Sequence, residues 1–387
     1  MDQPDSTTLL GSLQQVPDPR NRKGQSFEWP YLLALVAAAV ASGQKTITTM
    51  SAWVHQHQAE LIAKLRPAKK RIPSYATLRR VVIAMPITAL ENQIAIHNQH
   101  LDQDDPTTGS ITGADGSVWR GQAVDGKEVR GASAHGSTVH LVSLVRHDSG
   151  CVLGQVKVKN KSNEITAVPV LLKDRPLAGT VTTFDALLTQ RSIAEQILRQ
   201  GGHYLMIVKE NQGNLWTAID LLFRDPPFLR GETDLLSFRQ DETGHGRDET
   251  RIVDSSTVLN DYVDWPGAGQ VLRRTYHSVA HRTGRVRHEV TYGITSLSRR
   301  QALPEHMAWF WRGHWTIENR LHYVRDDTMG EDRGQIHTGN AAQALAAIRN
   351  GVISLMRYRG RTSIAAALRD HASAPQTVLQ FLGAPAT

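Results

Sequence analysis

The stretch from residue 118 to 208 constrains the fold most, because its periodicity switches in a definite order. SVWRGQAVDGKEV reads as a strand reaching Asp125. STVHLVSLVRH and CVLGQVKVKN are alternating, β-rich runs separated by a turn around Asp148, Ser149 and Gly150. KSNEITAVPVLLKD has helical spacing. GTVTTFDALL supplies a short strand ending at Asp185, QRSIAEQILRQGG a helix stopped by glycine, and HYLMIVK another apolar strand. The order is strand, strand, strand, helix, strand, helix, strand. An antiparallel unit followed by crossovers predicts an α/β fold, a mixed sheet with helices on its faces.

The flanks differ from this centre. Residues 1–100 read as a helical region, with helical patterns at 31–42, 47–64 and 75–85. In IPSYATLRRVV, Pro73 and Ser74 suit a helix start, and Thr77, Arg79 and Arg80 then face a nucleic-acid backbone or groove, as in a helix-turn-helix. LDQDDPTTGSITGADG, 101–116, is polar and turn-rich and reads as a linker. The sheet core then begins at 117 and continues to 225. Residues 226–300 are β-like and rich in arginine and histidine, a β-rich insertion. From 301 to 387 helical pattern returns.

With 387 residues, 40% of them hydrophobic, the chain can bury more than one core. A net charge of +7 favours a polyanionic partner. The one cysteine, Cys151, excludes a disulfide framework or a thiolate zinc cluster and fits a reducing cytoplasm. The most apolar run, YLLALVAAAVASG, is shorter than the about 20 residues a bilayer span needs and reads as a buried helix. No membrane association is expected.

Two aspartates stand out by position. Asp125 follows Ala-Val and Asp185 follows Val-Thr-Thr-Phe, both at the expected ends of apolar strands, where ligand sites gather in α/β sheets. Neither is specific alone, since Asp-Gly is a common turn and Asp a common helix cap. HWTIENRLHYVRDD carries a third acid, Glu318. With α-helical spacing, Ile317, Leu321 and Val324 form an apolar face, and His314, Glu318, His322 and Arg325 share the neighbouring one, with Trp311 a turn earlier. A helix packed on the sheet by that apolar face would bring Glu318 to the two aspartates. Three carboxylates at one sheet edge suit magnesium or manganese, hard cations that prefer oxygen. Two such ions about 4 Å apart serve phosphoryl transfer, with His314 and Arg325 on flanking phosphates. The scattered histidines lack metal-ligand spacing, and no nucleophile elbow or phosphate loop is present.

AVDGKEVRGA, TFDALLTQRSIAEQIL with GGHYLMIVKENQ, and RGHWTIENRLHYVRDD with GEDR resemble the DDE transposases of bacterial insertion sequences, specifically the ISAs-type branch with the H-repeat-associated proteins linked to Rhs elements. The N-terminal LLGSLQQVPDPRNRKGQSFEWPYLLALVAAAVASG is similar to the helical domain preceding the catalytic domain in that branch. The resemblance implies an RNase H-like core with Asp125, Asp185 and Glu318 as catalytic, metal-holding acids, and a β-rich insertion between the last two. The related Tyr-Arg-Glu-Lys signature falls on Trp311, His314, Glu318 and Arg325, of which only the glutamate is identical. Lys209, Asn211 and Gln212 match a KxNQ motif, and Glu164 matches within KSNEI.

The same resemblance implies a metal-dependent transposase that cuts element ends and joins them to target DNA, using Mg2+ or Mn2+, two ions. Its partner is double-stranded DNA, bound as a homodimer in the cytoplasm at the nucleoid. Arg79, Arg80, Lys209, Asn211, Gln212, Trp311, His314, His322 and Arg325 are the candidate DNA contacts. Two other readings remain open: a structure-specific nuclease on the same fold, and a domesticated DNA-binding protein without catalysis.

Overall fold

By Ser110 the chain has left a helical layer and entered a sheet. The computed structural model describes residues 7–21, 25–104, 109–134, 137–159, 164–227, 233–334, 336 and 338–385. Helices come first: α1 (Leu9–Gln14), α2 (Trp29–Ala41), α3 (Ile47–Gln56), α4 (Gln58–Leu65), α5 (Tyr75–Ile83) and α6 (Ile87–Gln103). Strands β1 (Ser110–Thr112), β2 (Val118–Ala134), β3 (Ser137–Arg146) and β4 (Val152–Lys157) come next. Then come α7 (Val168–Leu172), β5 (Thr180–Phe184), α8 (Arg191–Arg199), β6 (His203–Val208) and α9 (Gly213–Arg224). Four long strands, β7 (Leu236–Gly244), β8 (Arg247–Ser256), β9 (Gln270–Ala280) and β10 (Val286–Thr295), precede α10 (Pro304–Gly313). A π-helical stretch covers Ile317–His322 and Val324–Thr328, and α11 (Ala341–Tyr358), α12 (Ile364–Ala372) and α13 (Pro375–Phe381) complete the described chain.

The strands form one sheet in the order β4-β3-β2-β5-β6-β10-β9-β8-β7, with β1 on β2. β2, β3 and β4 pair antiparallel, and β5 and β6 join them in parallel. This is the RNase H-like mixed sheet that the strand order and the resemblance led one to expect. Every residue of β5 is buried, as a parallel strand covered on both faces requires. The β-rich segment continues the same sheet, because β10 pairs with β6.

Each face of the sheet has its own core. Apolar residues of α7, α8 and α9 cover one face through Val168, Ile193 and Ile219. On the other, α10 packs through Met307, Phe310 and Trp311. Beside it lies a helical layer drawn from both ends of the chain. Leu32, Val82 and Ile94 share one core with Leu345, Ile353 and Val378, and with Ala123, Val145 and Val152 of the sheet. The apolar run read as a buried helix is α2, and Leu32, Leu33 and Leu35 are without exposure. No helix among the described residues is long and apolar enough to cross a membrane. Asp102 at the end of α6 ties the layer to the sheet, pairing with Arg120 of β2 at 2.8 Å and Arg146 of β3 at 2.9 Å.

A second polar clamp is buried deeper. Glu331 lies between Arg325, whose Nε donates to it at 2.9 Å, and Arg349 of α11, whose Nη1 donates at 3.0 Å. Arg325 also donates to Gln155 of β4 at 3.3 Å. Burial would raise the Glu331 carboxyl, but the two guanidinium charges hold it below the usual carboxylate range. The clamp therefore joins the stretch after Glu318 to α11 and to the sheet. Removing its one anion leaves two buried cations uncompensated. Glu331→Ala is expected to cost about 3–5 kcal/mol, read as a lowered urea midpoint. A loss below 1 kcal/mol would show that the clamp does not hold the layer.

Candidate active site

Strand register sets the first two acids. Val124 of β2 lies opposite Phe184 of β5, so Asp125 and Asp185 occupy the next level of two adjacent parallel strands. Such strands lie about 4.8 Å apart, and side chains at one level point to one face. β2 does not end at Asp125, in contrast to the reading from its sequence. It continues to Ala134 because β3 still pairs with it, and only β5 stops. Asp185 is a true strand end. Its Oδ1 accepts the Leu188 N–H at 3.0 Å, and Thr189 donates to its carbonyl at 2.9 Å.

Glu318 arrives on the same face. Ile317, Leu321 and Val324 are all buried in the helical-layer core, as expected. The winding is π rather than α: the Tyr323 N–H bonds to the Glu318 carbonyl and the Met329 N–H to that of Val324, five residues back in each case. Glu318 and Asp125 each offer an oxygen, and His322 a ring nitrogen, all within 4.8 Å of one another. His322 Nδ1 lies 3.0 Å from Glu318 Oε2 and 3.7 Å from Asp125 Oδ2.

The electrostatics reflect this crowding. Burial pushes the Asp125 carboxyl up to about 7, and the charges of Asp185, Glu164 and Glu318 add to the rise, while the Gly126 N–H at 2.8 Å opposes it. Glu318 is held low, first by its hydrogen bond with His322. Burial keeps His322 below the usual histidine range, so the neutral ring donates from Nδ1. Burial likewise takes His314 down to about 4 against the pull of Asp185.

Several residues proposed from the sequence as DNA contacts sit elsewhere. Arg325 has no exposure and is spent on Glu331. Trp311 is 1% exposed and packs its ring where a Cβ on Gly293 would stand. His322 is buried between carboxylates and does not face solvent. The wider π turn explains the displacement of Arg325. At α-helical pitch it falls beside Glu318, and with less rotation per residue it comes round toward Leu321. His314 is neutral and bonds Thr183 Oγ1 at 3.0 Å. Asn211 and Gln212 donate to the carbonyls of Ala186 and Thr189, both at 2.7 Å, fastening the loop after Asp185. Arg79, Arg80 and Lys209 are exposed.

Other residues around the site were not legible. Lys127 Nζ lies 2.5 Å from Asp326 and 3.3 Å from Asp332, bracing β2 against the π-helical stretch, and its charge lowers Glu318. Its one sequence signal was its place in AVDGKEVRGA. His147 fills a slot between Gly121 and Gly313, where any Cβ would collide with its ring, and bonds Thr183 Oγ1 at 3.0 Å. Trp315 and Tyr323, 54% and 57% exposed, flank Glu318 along its helix.

A mixed sheet that brings Asp125, Glu318 and His322 together at one level, beside the strand end that carries Asp185, offers oxygen donors suited to a divalent ion. The chain belongs to the DDE transposase family. The Transposase DDE domain family matches residues 107–355, and a DDE_Tnp_1-associated family matches residues 10–97. The transposase-named protein YncI of Escherichia coli O157:H7 is 31% identical over 353 residues, 90% of this chain and 87% of that one. The H repeat-associated, transposase-named YhhI of E. coli K12 is 29% identical over 351 residues, 90% of each. A solved piggyBac transposase synaptic complex with hairpin DNA aligns with 97% of this chain and 78% of that one, at a TM-score of 0.42 and 9% identity, too loose a likeness to argue from.

The raised Asp125 sets a pH dependence. Its unfolded value is near 3.9, so between about pH 4 and 7 only the folded chain holds the proton. Without divalent ions, stability is expected to fall as pH rises through that window, by on the order of a few kcal/mol, and to level off above it. Asp125→Asn should remove that part of the slope in urea unfolding with chelator. An unchanged slope would count against the burial of this charge. A second expectation concerns His147: Gly313→Ala overpacks its slot and should cost about 1–3 kcal/mol, measured by the same unfolding. A neutral result would mean the ring moves freely.

Proposed function

We propose that Asp125, Asp185 and Glu318 are the catalytic, metal-holding acids of this transposase, and that they hold two Mg2+ or Mn2+ ions. The observation that carries this reading is the approach of Asp125 and Glu318 to within 4.8 Å, at the level where β5 delivers Asp185. The donor set fits hard cations, and the Asp125 carboxyl, raised first by burial and then by neighbouring like charges, gains from a bound cation. When bound, such ions activate an attacking oxygen and stabilise the leaving one. Asp125 and Asp185 supply the rigid side of the site, since both stand on the sheet. Glu318 supplies the third side, and His322 orients it.

The same face offers a course for DNA. Register places Gly293 of β10 level with Asp185, so β10 runs on to Val286, about 24 Å beyond that level at 3.4 Å per residue. A groove of about 420 Å³ lies between β7–β10 and the Glu318 helix, with Arg251, Arg274, Arg287 and Tyr276 on one wall and Trp315 on the other. Glu249 and Glu289 line the same groove and pair with Arg251 and Arg287, so phosphates would compete with them for these cations, and the exposed Trp315 suits an unstacked base. Arg79 and Arg80 on α5 and exposed Lys209 are further contacts to duplex DNA. In this reading the chain works as a homodimer on paired element ends, at the nucleoid. It cuts those ends and then joins their 3′ hydroxyls to target DNA.

A strand-transfer assay with pre-cleaved ends tests this. Wild-type protein should give joined products, and Asp125→Asn, Asp185→Asn and Glu318→Gln should each reduce cutting and joining by at least about 100-fold, beyond what an outer-shell change costs. Hydrolysis without joining would favour the nuclease. Full activity in Glu318→Gln would remove Glu318 from the site.

A further inference from the structure

The net charge of +7 is confined to one short part of the chain. Between Glu60 and Glu91 there is no acid, and seven cations stand there: Lys64, Arg66, Lys69, Lys70, Arg71, Arg79 and Arg80. The whole chain has 44 Lys and Arg against 37 Asp and Glu, so 44 − 7 leaves 37 cations against 37 acids elsewhere. The seven run from the end of α4 through the loop 66–74 and along α5. α5 buries Leu78, Val81 and Val82 and leaves Tyr75, Ala76, Arg79 and Arg80 exposed, one face at helical spacing. Ser74 caps its first turn by accepting the Thr77 N–H at 3.4 Å. The loop is held too. The Arg71 guanidinium lies 5.2 Å from the centre of the Phe27 ring, and the Arg71 carbonyl accepts the Tyr31 hydroxyl at 3.2 Å. Arg66, Lys69 and Lys70 are exposed on this loop.

We propose that Arg66, Lys69, Lys70, Arg79 and Arg80 form the surface that docks duplex DNA by its phosphates, outside the carboxylate cleft. This rests on the DNA reading given above and adds where the duplex is held. The state of the cations separates this surface from the groove beside Glu318. In the groove, Arg251 pairs with Glu242 at 2.9 Å and with Glu249, Arg274 with Glu289 at 3.5 Å, and Arg287 with Glu289 at 2.7 Å. A phosphate there must displace a carboxylate. Among the described residues, none of the five on the loop and α5 is in an ion pair. Glu28 reaches the loop, but its carboxylate takes the Ala68 N–H at 2.8 Å. A face that only keeps a protein in solution mixes both signs; this one carries a single sign. A duplex bears one negative charge per about 1.7 Å of its axis, and release of its counterions by lysine and arginine supplies the sequence-independent affinity. The surface is also fixed relative to the acids. The Asn340 N–H donates to the Ile83 carbonyl at 3.2 Å and its side-chain amide to the Met85 carbonyl at 2.9 Å, fastening the end of α5 to the start of α11. Val82 of α5 shares a core with Leu321 and Val324 of the Glu318 helix.

Fluorescence anisotropy of a labelled duplex of arbitrary sequence, titrated with the full-length protein under chelator, reads this apart from cutting and joining. Affinity is measured between about 50 and about 200 mM salt, where each phosphate contact adds about 0.9 to the slope of log affinity against log salt. Lys69→Gln, Lys70→Gln, Arg79→Gln and Arg80→Gln together should weaken binding and reduce that slope by about 3–4 per protomer. Circular dichroism checks the fold, which substitutions at exposed positions should leave intact. Should the fourfold variant unfold, Lys69→Gln with Lys70→Gln should still reduce the slope by about 2. An unchanged slope in the folded variant would overturn the assignment; a slope lowered instead by Arg251→Gln with Arg287→Gln would put the duplex in the groove. Wild-type protein that binds no duplex at the lowest salt would overturn the DNA reading itself, and this surface with it.

Discussion

Parallel pairing of β2 with β5 sets Val124 beside Phe184, so the next residue along each of two adjacent strands is an acid, Asp125 and Asp185. Asp125 is half-buried there, and the charge of Asp185 acts on it as well. The Gly126 N–H holds one oxygen of Asp125, and the Leu188 N–H one of Asp185. Neither backbone donor carries a full charge, and burial first, with the charge of Asp185 adding to it, keeps the Asp125 carboxyl raised. Lys127 is close enough to lower Glu318, yet its ammonium is committed to Asp326 and Asp332. Arg325, a second cation on the same helix, is committed to Glu331. The site is thus left net negative while cations stand engaged close by, which is the electrostatic condition a divalent ion completes.

Glu318 depends on the helical layer for its place. Its helix is anchored by Ile317, Leu321 and Val324 in a core shared with α2, α6 and α11. The next stretch of chain is pinned by Glu331 to α11 through Arg349. Sheet, N-terminal helices and C-terminal helices therefore meet at one helix, and a disturbance in any of them reaches the third acid. The residues before 100 shape the proposed active site through packing with the helix that carries Glu318.

The sheet was legible because its strands differ in kind. Alternation marks β3 and β4, unbroken apolar runs mark β5 and β6, and glycine stops the helix between them. The continuation of β2 past Asp125 was not legible, since Gly126 and Lys127 break the apolar pattern while pairing with β3 persists. The acids could be singled out by position and motif. The surroundings could not: Lys127, His147 and Glu331 act through partners far along the chain, and spacing within a segment carries no trace of them. Asn211 and Gln212 were marked by a motif, but their hydrogen bonds to the loop after Asp185 depend on how β6 lies beside β5.

The π winding at Glu318 resolves a conflict that an α-helix would leave standing. The helix must bury Ile317 and Leu321, present Glu318 to the aspartates, and also deliver Arg325 to a partner inside the layer. At 3.6 residues per turn, Glu318 and Arg325 share one face, and a guanidinium there would pair with the carboxylates and neutralise the site. Widening the turn separates them: Glu318 stays 55% exposed at the cleft and Arg325 has none. π segments are rare and cost helix geometry, and they are frequent at functional sites. Here the cost is offset by the buried clamp that the same rotation creates between Arg325 and Glu331. The deviation from helical regularity is therefore what lets one short segment carry the proposed catalytic acid and a structural cation without letting them meet.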